Sequence, residues 1–202
     1  MAAGGRFRAS PFVLPVLAMA GVVALSNFAV QYPVEAFGLG DYLTWGALTY
    51  PLAFLVNDLT NRRFGPARTR RVVYVGFAVA LVLSAVLATP RIALASGTAF
   101  VAGQLLDITV FNWLRRRTWW RAPLAGSLLG SALDTAIFFT LAFAGDASMS
   151  HPVSYGAVTV PLWAGLAFFD FWVKVAMALL LLVPYGALMN WVRPFEAVRS
   201  AR

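Results

Sequence analysis

The sequence predicts an all-α polytopic membrane protein: one domain over residues 1–202, six transmembrane helices and both termini in the cytoplasm. Three observations predict it. Of the residues, 60% are hydrophobic, only 12% are charged, and mean hydropathy is +0.75. A soluble domain carries about a quarter charged residues. The apolar residues come in blocks of roughly 20, the length an α-helix needs to cross a bilayer. The arginines, finally, occupy alternate loops.

The first span is 11–31, "PFVLPVLAMAGVVALSNFAVQ". A short basic stretch precedes it and no small-residue cleavage site ends it, so a retained helix is expected rather than a signal peptide. Span two is 44–61, "TWGALTYPLAFLVNDLTN", and span three is 70–89, free of charge from Val72 onward. Spans four, five and six are 92–114, 122–144 and 165–192. Fourteen arginines flank the termini or fill the loops between spans two and three and between four and five; the other loops hold only Arg91. This is the positive-inside pattern, and it sets both termini in the cytoplasm. It also argues against nucleic acid as a partner of this +8 chain, because the charges are scattered over short loops and not gathered on one face. The lipid bilayer is the expected surrounding. Trp119, Trp120 and Trp191 lie near span ends, where indole rings favour the interface.

Missing parts narrow the function. There is no Cys, so disulfides, thiol catalysis and cysteine metal sites are excluded. No phosphate-binding G-x-x-x-x-G-K-[ST] loop, H-E-x-x-H or G-x-S-x-G occurs. The single histidine, His151, sits in the outer loop 145–164 without a partner motif and reads as solvated. No metal and no cofactor is expected, and the chain is not read as an enzyme. An aspartyl membrane hydrolase built on Asp107 and Asp134 is the one enzymatic alternative left open.

The chemistry therefore rests on polar residues inside the spans. A charged side chain at a helix centre costs roughly 2.5–3.5 kcal/mol on insertion scales, so such residues face the bundle interior or a cavity. "GQLLDITVF" (103–111) and "GSALDTAIF" (130–138) each place a glycine, a carboxylate and a phenylalanine four residues apart, on one helical face. Consecutive spans run in opposite directions, so the two faces are antiparallel. Asp134 falls near the middle of its span. Asp107 falls about four residues to the cytoplasmic side of its own, about 6 Å of rise. Two carboxylates flanking one midplane cavity are expected, with chance likeness between alanine- and leucine-rich helices as the alternative. Asp170 and Lys174 have the favoured spacing for an ion pair. They neutralise each other, or Lys174 also reaches a carboxylate on another helix or forms part of a gate. Asn27 and Gln31 share a face of span one, as helix–helix glue or as ligand contacts. Asn57, Asp58 and Asn61 end span two beside Arg62 and Arg63, where a solvated, interfacial helix end is the plain reading.

Several stretches resemble one family throughout: "SNFAVQYPV", "TWGALTYPLAFLVNDLTNRRFG", "ARTRRVVY", "GQLLDITVFNWLRR", "WWRAPLAGSLLGSALDTAIFFTLAF" and "FDFWVKVAMALLLLVPYGALMNW". The family is the VUT family of queuosine-precursor transporters, and the resemblance runs from span one to span six in order. It implies import of 7-cyano-7-deazaguanine and 7-aminomethyl-7-deazaguanine across the bacterial inner membrane for tRNA queuosine modification. It places Asn27, Gln31, Asp58, Gln104, Asp107, Asp134 and Lys174 on the family's shared polar positions. A carboxylate can accept the N1–H and 2-amino donors of a 7-deazaguanine as a bidentate pair. Amides such as Asn27 and Gln104 can donate to O6, and Phe111 or Phe138 can stack on the ring. A carrier without its own ATPase is the leading reading, with a homodimer among the expected states. The alternative is the substrate-binding subunit of an energy-coupling-factor-type vitamin or nucleobase importer, whose Ala-x-x-x-Ala pattern Ala20 and Ala24 would supply.

Overall fold

The computed structural model describes residues 11–36, 43–87 and 89–195. Both termini, with Arg6, Arg8, Arg199 and Arg202, and the loop residue Asp41 lie outside the described residues. Within them the chain is helical apart from one hairpin. The helices are α1 (Val13–Ala29), α2 (Trp45–Thr49), α3 (Leu52–Phe64), α4 (Pro66–Leu87), α5 (Pro90–Leu114), α6 (Arg121–Phe143) and α7 (Leu162–Met189). Among the described residues, four stretches are long and apolar enough to cross a membrane: 66–86 of α4, and α5, α6 and α7 entire.

Local signals account for the helix ends. Gly65 terminates α3 at φ 78°, a left-handed conformation that an L side chain resists, and Pro66 opens α4, where its missing N–H is not needed. Thr89 caps α5, accepting a hydrogen bond from the Ile92 N–H, and Pro90 follows at the first helical position.

Span two departs from expectation: it is two helices, not one. Pro51 has no N–H to donate, so the helix that begins at Trp45 stops before it and α3 restarts at Leu52. The loop 145–164 also holds structure the sequence did not announce. Pro152–Tyr155 (β1) and Val158–Pro161 (β2) form an antiparallel hairpin, with Tyr155 opposite Val158 across a two-residue turn. The Tyr155 ring sits where a side chain on Gly165 would be, which seats the hairpin against α7.

Contacts confirm that the helices alternate in direction. At one end, Arg91 at the start of α5 donates to the carbonyls of Leu141 and Ala144 at the finish of α6. At the other, Arg62 at the finish of α3 donates to the Val192 carbonyl beyond α7. We call these the hairpin end and the arginine end. Helix α5 is central and more than half buried, whereas α7 is mostly exposed and turns Phe168, Trp172, Leu180 and Val183 outward. An apolar core of Met19, Val23, Ala53, Val72, Val73, Ala80, Phe100 and Ile108 joins α1, α3, α4 and α5.

The repeated glycine–aspartate stretches meet at the crossing of α5 and α6. A methyl group on Gly103 would lie 2.9 Å from the Gly130 carbonyl oxygen and 3.0 Å from Asp134 Cβ. One on Gly130 would lie 2.8 Å from the Gly103 carbonyl oxygen and 3.3 Å from Asp107 Cβ. Each glycine lets the other helix's backbone approach, as small residues do between membrane helices. The crossing holds the two carboxylates on opposite flanks.

Candidate functional site

Toward the hairpin end the helices enclose a cavity of about 360 Å³. It falls at the lower end of the range of small-molecule sites, about 300–1,000 Å³. Asn27 and Val30 of α1, Tyr50 at the α2–α3 break, Phe100 of α5, Phe138, Phe139 and Asp134 of α6, and Asp170 and Lys174 of α7 line it. Two further segments reach it: Leu43 and Thr44, with the Leu43 carbonyl accepting from the Val34 N–H at 2.9 Å, and Met149 from the loop ahead of the hairpin.

One wall of the cavity is a charged network. Lys174 Nζ lies 2.7 Å from Asp134 Oδ2 and 2.6 Å from Asp170 Oδ2. It also donates to Thr135 Oγ1 at 3.0 Å, and the Thr135 hydroxyl in turn donates to Asp170 Oδ2 at 2.7 Å. The Tyr50 hydroxyl donates to Asp134 Oδ1 at 2.7 Å, and the lysine ammonium sits 5.2 Å from the centre of the Tyr50 ring. The ion pair expected from helical spacing therefore exists, and Lys174 also reaches the carboxylate of a second helix. Two carboxylates and one ammonium leave the network a formal charge of −1. Buried ions tolerate such a setting because each has partners.

Asn27 stands across the cavity. Its amide donates to the Val23 carbonyl at 2.9 Å and its oxygen accepts from Ser84 at 2.9 Å, so one amide hydrogen stays available to a ligand.

A second polar cluster lies toward the arginine end. Asn57, buried on α3, donates to Asp107 Oδ2 at 2.6 Å and to the Gln104 carbonyl at 3.2 Å. Asn61, Asn112 and Arg115 continue it: Asn112 donates to Asn61 Oδ1 and to the Ile108 carbonyl, and Arg115 donates to Asn112 Oδ1. Asn57, Asp58 and Asn61 are 0–2% exposed, which corrects the reading of a solvated helix end. The reason is tertiary: α5 lays Gln104 and Asp107 directly over that turn of α3.

Of the residues singled out from sequence, Asn27, Asp134, Phe138, Asp170 and Lys174 come together at the cavity. Asp58, Gln104 and Asp107 gather in the second cluster and are not part of the cavity lining. Phe111 is buried against Ala122 and Tyr185. Gln31 is exposed past the end of α1, its amide 3.5 Å from the Asn27 carbonyl. His151 is exposed and rests on the Ser148 carbonyl. Tyr50 and Thr135 were not foreseen. Thr135 adjoins Asp134 in sequence, a usable hint; the link from Tyr50 to Asp134 spans 84 residues and leaves no local trace.

A family model described as "Putative vitamin uptake transporter" matches residues 44–89 and 83–189. The chain is 36% identical to the "Probable queuosine precursor transporter" of Haemophilus influenzae, over 84% of this chain and 82% of that one. It is also 36% identical to the "Queuosine precursor transporter" of Escherichia coli, again over 84% and 82%. A Bacillus subtilis relative, a "Probable queuosine precursor transporter", is 30% identical over 59% of this chain and 64% of its own. No solved structure matches. With the family model spanning most of the chain and two relatives aligned along more than four fifths of it, the protein belongs to the VUT family of membrane transporters and is not an enzyme.

Proposed function

We propose that this chain imports queuosine precursors, 7-cyano-7-deazaguanine and 7-aminomethyl-7-deazaguanine, across a bacterial inner membrane. It does so as a six-span carrier with cytoplasmic termini and no ATPase of its own. The names of its relatives support the substrate. The observation that carries the reading is the cavity itself, where an Asp134 carboxylate fixed by Tyr50 and Lys174 faces aromatic walls and a free amide hydrogen.

The chemistry follows from those parts. Asp134 accepts from the N1–H and 2-amino group of the flat base, in place of the Tyr50 hydroxyl on Oδ1. Asn27 donates to O6 and Phe138 stacks on the ring. Bonds to an ionised acceptor in a dry site are the strong ones. Guanine shares this edge, so rejection of guanine must come from the wall that meets the substituent at position 7. The arginine end faces the cytoplasm, since it carries Arg62, Arg63, Arg68, Arg70, Arg71, Arg115, Arg116, Arg117 and Arg121. The cavity then stands on the outer half of the molecule.

Binding to purified protein tests the reading. Wild type should bind 7-cyano-7-deazaguanine and discriminate against guanine. Asp134→Asn should weaken binding roughly 10- to 100-fold, corresponding to about 1.5–3 kcal/mol for a hydrogen bond to a charged group. Equal affinity in the two proteins would remove Asp134 from the site. Uptake by the chain alone in liposomes separates a carrier from the subunit of an ATP-driven importer, which would need its partners.

A further inference from the structure

We propose that the buried pair Asp58–Asp107 binds a transported proton, so that substrate entry through this carrier is coupled to an inward proton flow. The proposal rests on the transport reading above and assigns a task to polar residues that the cavity does not use.

The cluster is short of hydrogen-bond donors. Four of its side-chain oxygens are buried without a partner: Asn57 Oδ1, Asp58 Oδ1, Gln104 Oε1 and Asp107 Oδ1. Only one unpartnered donor, Gln104 Nε2, stands among them. The four residues are 0–2% exposed, and the bonds from Asn57 to Asp107 and to the Gln104 carbonyl tie three of them together. Asp58 follows Asn57 on α3 and lines a small space with Ser127 of α6, and Asp107 Oδ1 packs against the adjoining Gly126. An orphaned buried acceptor costs about 1–3 kcal/mol. A hydrogen on one carboxyl of the pair adds a donor where the cluster lacks one and reduces the deficit.

Charge points the same way. The ion pairs of Lys174 with Asp134 and Asp170 do not reach this pair. On α3, Arg62 donates to the Val192 carbonyl, and Arg63 lies over the Phe64 ring with its Nη1 buried and without a hydrogen-bond partner. On α5, Arg115 donates to Asn112 and to the Asn61 carbonyl. Helix α6 brings Asp134, already bonded to Lys174, and α7 brings Tyr185. On α4, Arg68, Arg70, Arg71 and Tyr74 are exposed, and α1 carries no titratable group. Two carboxylates with no cation between them do not both ionise in a low dielectric. Beside Asp58, between Ser127 and Tyr185, about 10 Å³ is open. That is about the room one water needs.

Coupling has a structural basis in the glycine crossing. Asp107 packs against Gly130 on one flank and Asp134 against Gly103 on the other, so a shift of α5 on α6 moves both carboxylates. In the proposed cycle an O–H bond forms on a carboxylate oxygen from outside water. It breaks again to cytoplasmic water by way of the Ser127–Tyr185 space. No bond of the substrate changes.

The test uses the full chain in sodium-free liposomes, with membrane voltage clamped and 7-cyano-7-deazaguanine, which carries no charge, as the probe. Counterflow of labelled against unlabelled probe is recorded first, then uptake with and without an acid-outside gradient. At one proton per substrate, a gradient of one pH unit should sustain accumulation of up to about tenfold, abolished by a protonophore. Asp58→Asn and Asp107→Asn should bring the gradient-to-no-gradient ratio to one, whatever counterflow rate each retains. If neither variant carries the probe, the wild-type ratio decides. Counterflow with a wild-type ratio of one overturns the proton proposal and leaves the transport reading standing. Accumulation driven by a sodium gradient instead also overturns it. Absence of counterflow in wild type overturns both.

Discussion

Asp134 and Asp107 stand in matching nine-residue stretches and flank the same helix crossing, yet their surroundings are opposite. Asp134 has both oxygens filled, one by Tyr50 and one by Lys174. Asp107 has an amide on one oxygen and no partner on the other. The first is a fixed anion whose position is set by its bonds. The second is an acceptor waiting for a hydrogen. The difference teaches that a buried carboxylate is not one kind of site: its partners decide whether its oxygens are filled or left short of a donor.

The comparison can be broken most severely at Lys174. Lys174→Met would leave the buried Asp134 and the partly buried Asp170 without their cation. Removing one partner of a buried pair costs about 3–5 kcal/mol, so a large fall in the thermal midpoint of the detergent-purified protein is expected. A midpoint near that of wild type would show that the network is not what holds α6 to α7. The next effect in size belongs to the crossing. Gly103→Ala and Gly130→Ala each force a carbon to within 3 Å of the opposite backbone and should lose about 1–3 kcal/mol by overpacking. Gly21→Ala, with nothing within 4 Å, is the control and should lose nothing. The smallest effect sharpens the contrast. Asp107→Asn supplies the missing donor, so its midpoint should hold or rise, whereas Asp134→Asn removes an ionic partner of Lys174 and should lower it. Denaturation of the two variants side by side reads the sign directly.

Much of the helical frame was legible. Spans three to six lie within about four residues of α4 to α7, because long charge-free runs bounded by arginines leave little freedom. The Asp170–Lys174 pair was legible because both residues share one helix. The break at Pro51 was marked by the proline, but the apolar run around it reads as continuous. The hairpin was hidden because its strands are only four residues long and no charge or repeat marks them. Asn57 and Asp58 look solvated when only their own helix is considered, since Arg62 and Arg63 follow. Their burial depends on α5, 47–50 residues away. Phe111 shares the Asp107 face yet packs with Tyr185, because one further turn brings it beneath α7, where the cavity does not extend.

Pro51 has a mechanical consequence. A helix normally resists bending because each residue's N–H is tied to the carbonyl one turn back. At Pro51 that tie cannot exist, so the joint between α2 and α3 can flex there without giving up a backbone bond of its own. Tyr50 sits on that joint, and its hold on Asp134 is a single side-chain bond. The chain has thus placed a ready-made knee beside the anion that faces the cavity. Swinging it needs one phenol to let go, and under the proposed function a flat donor-rich base would offer Asp134 the replacement.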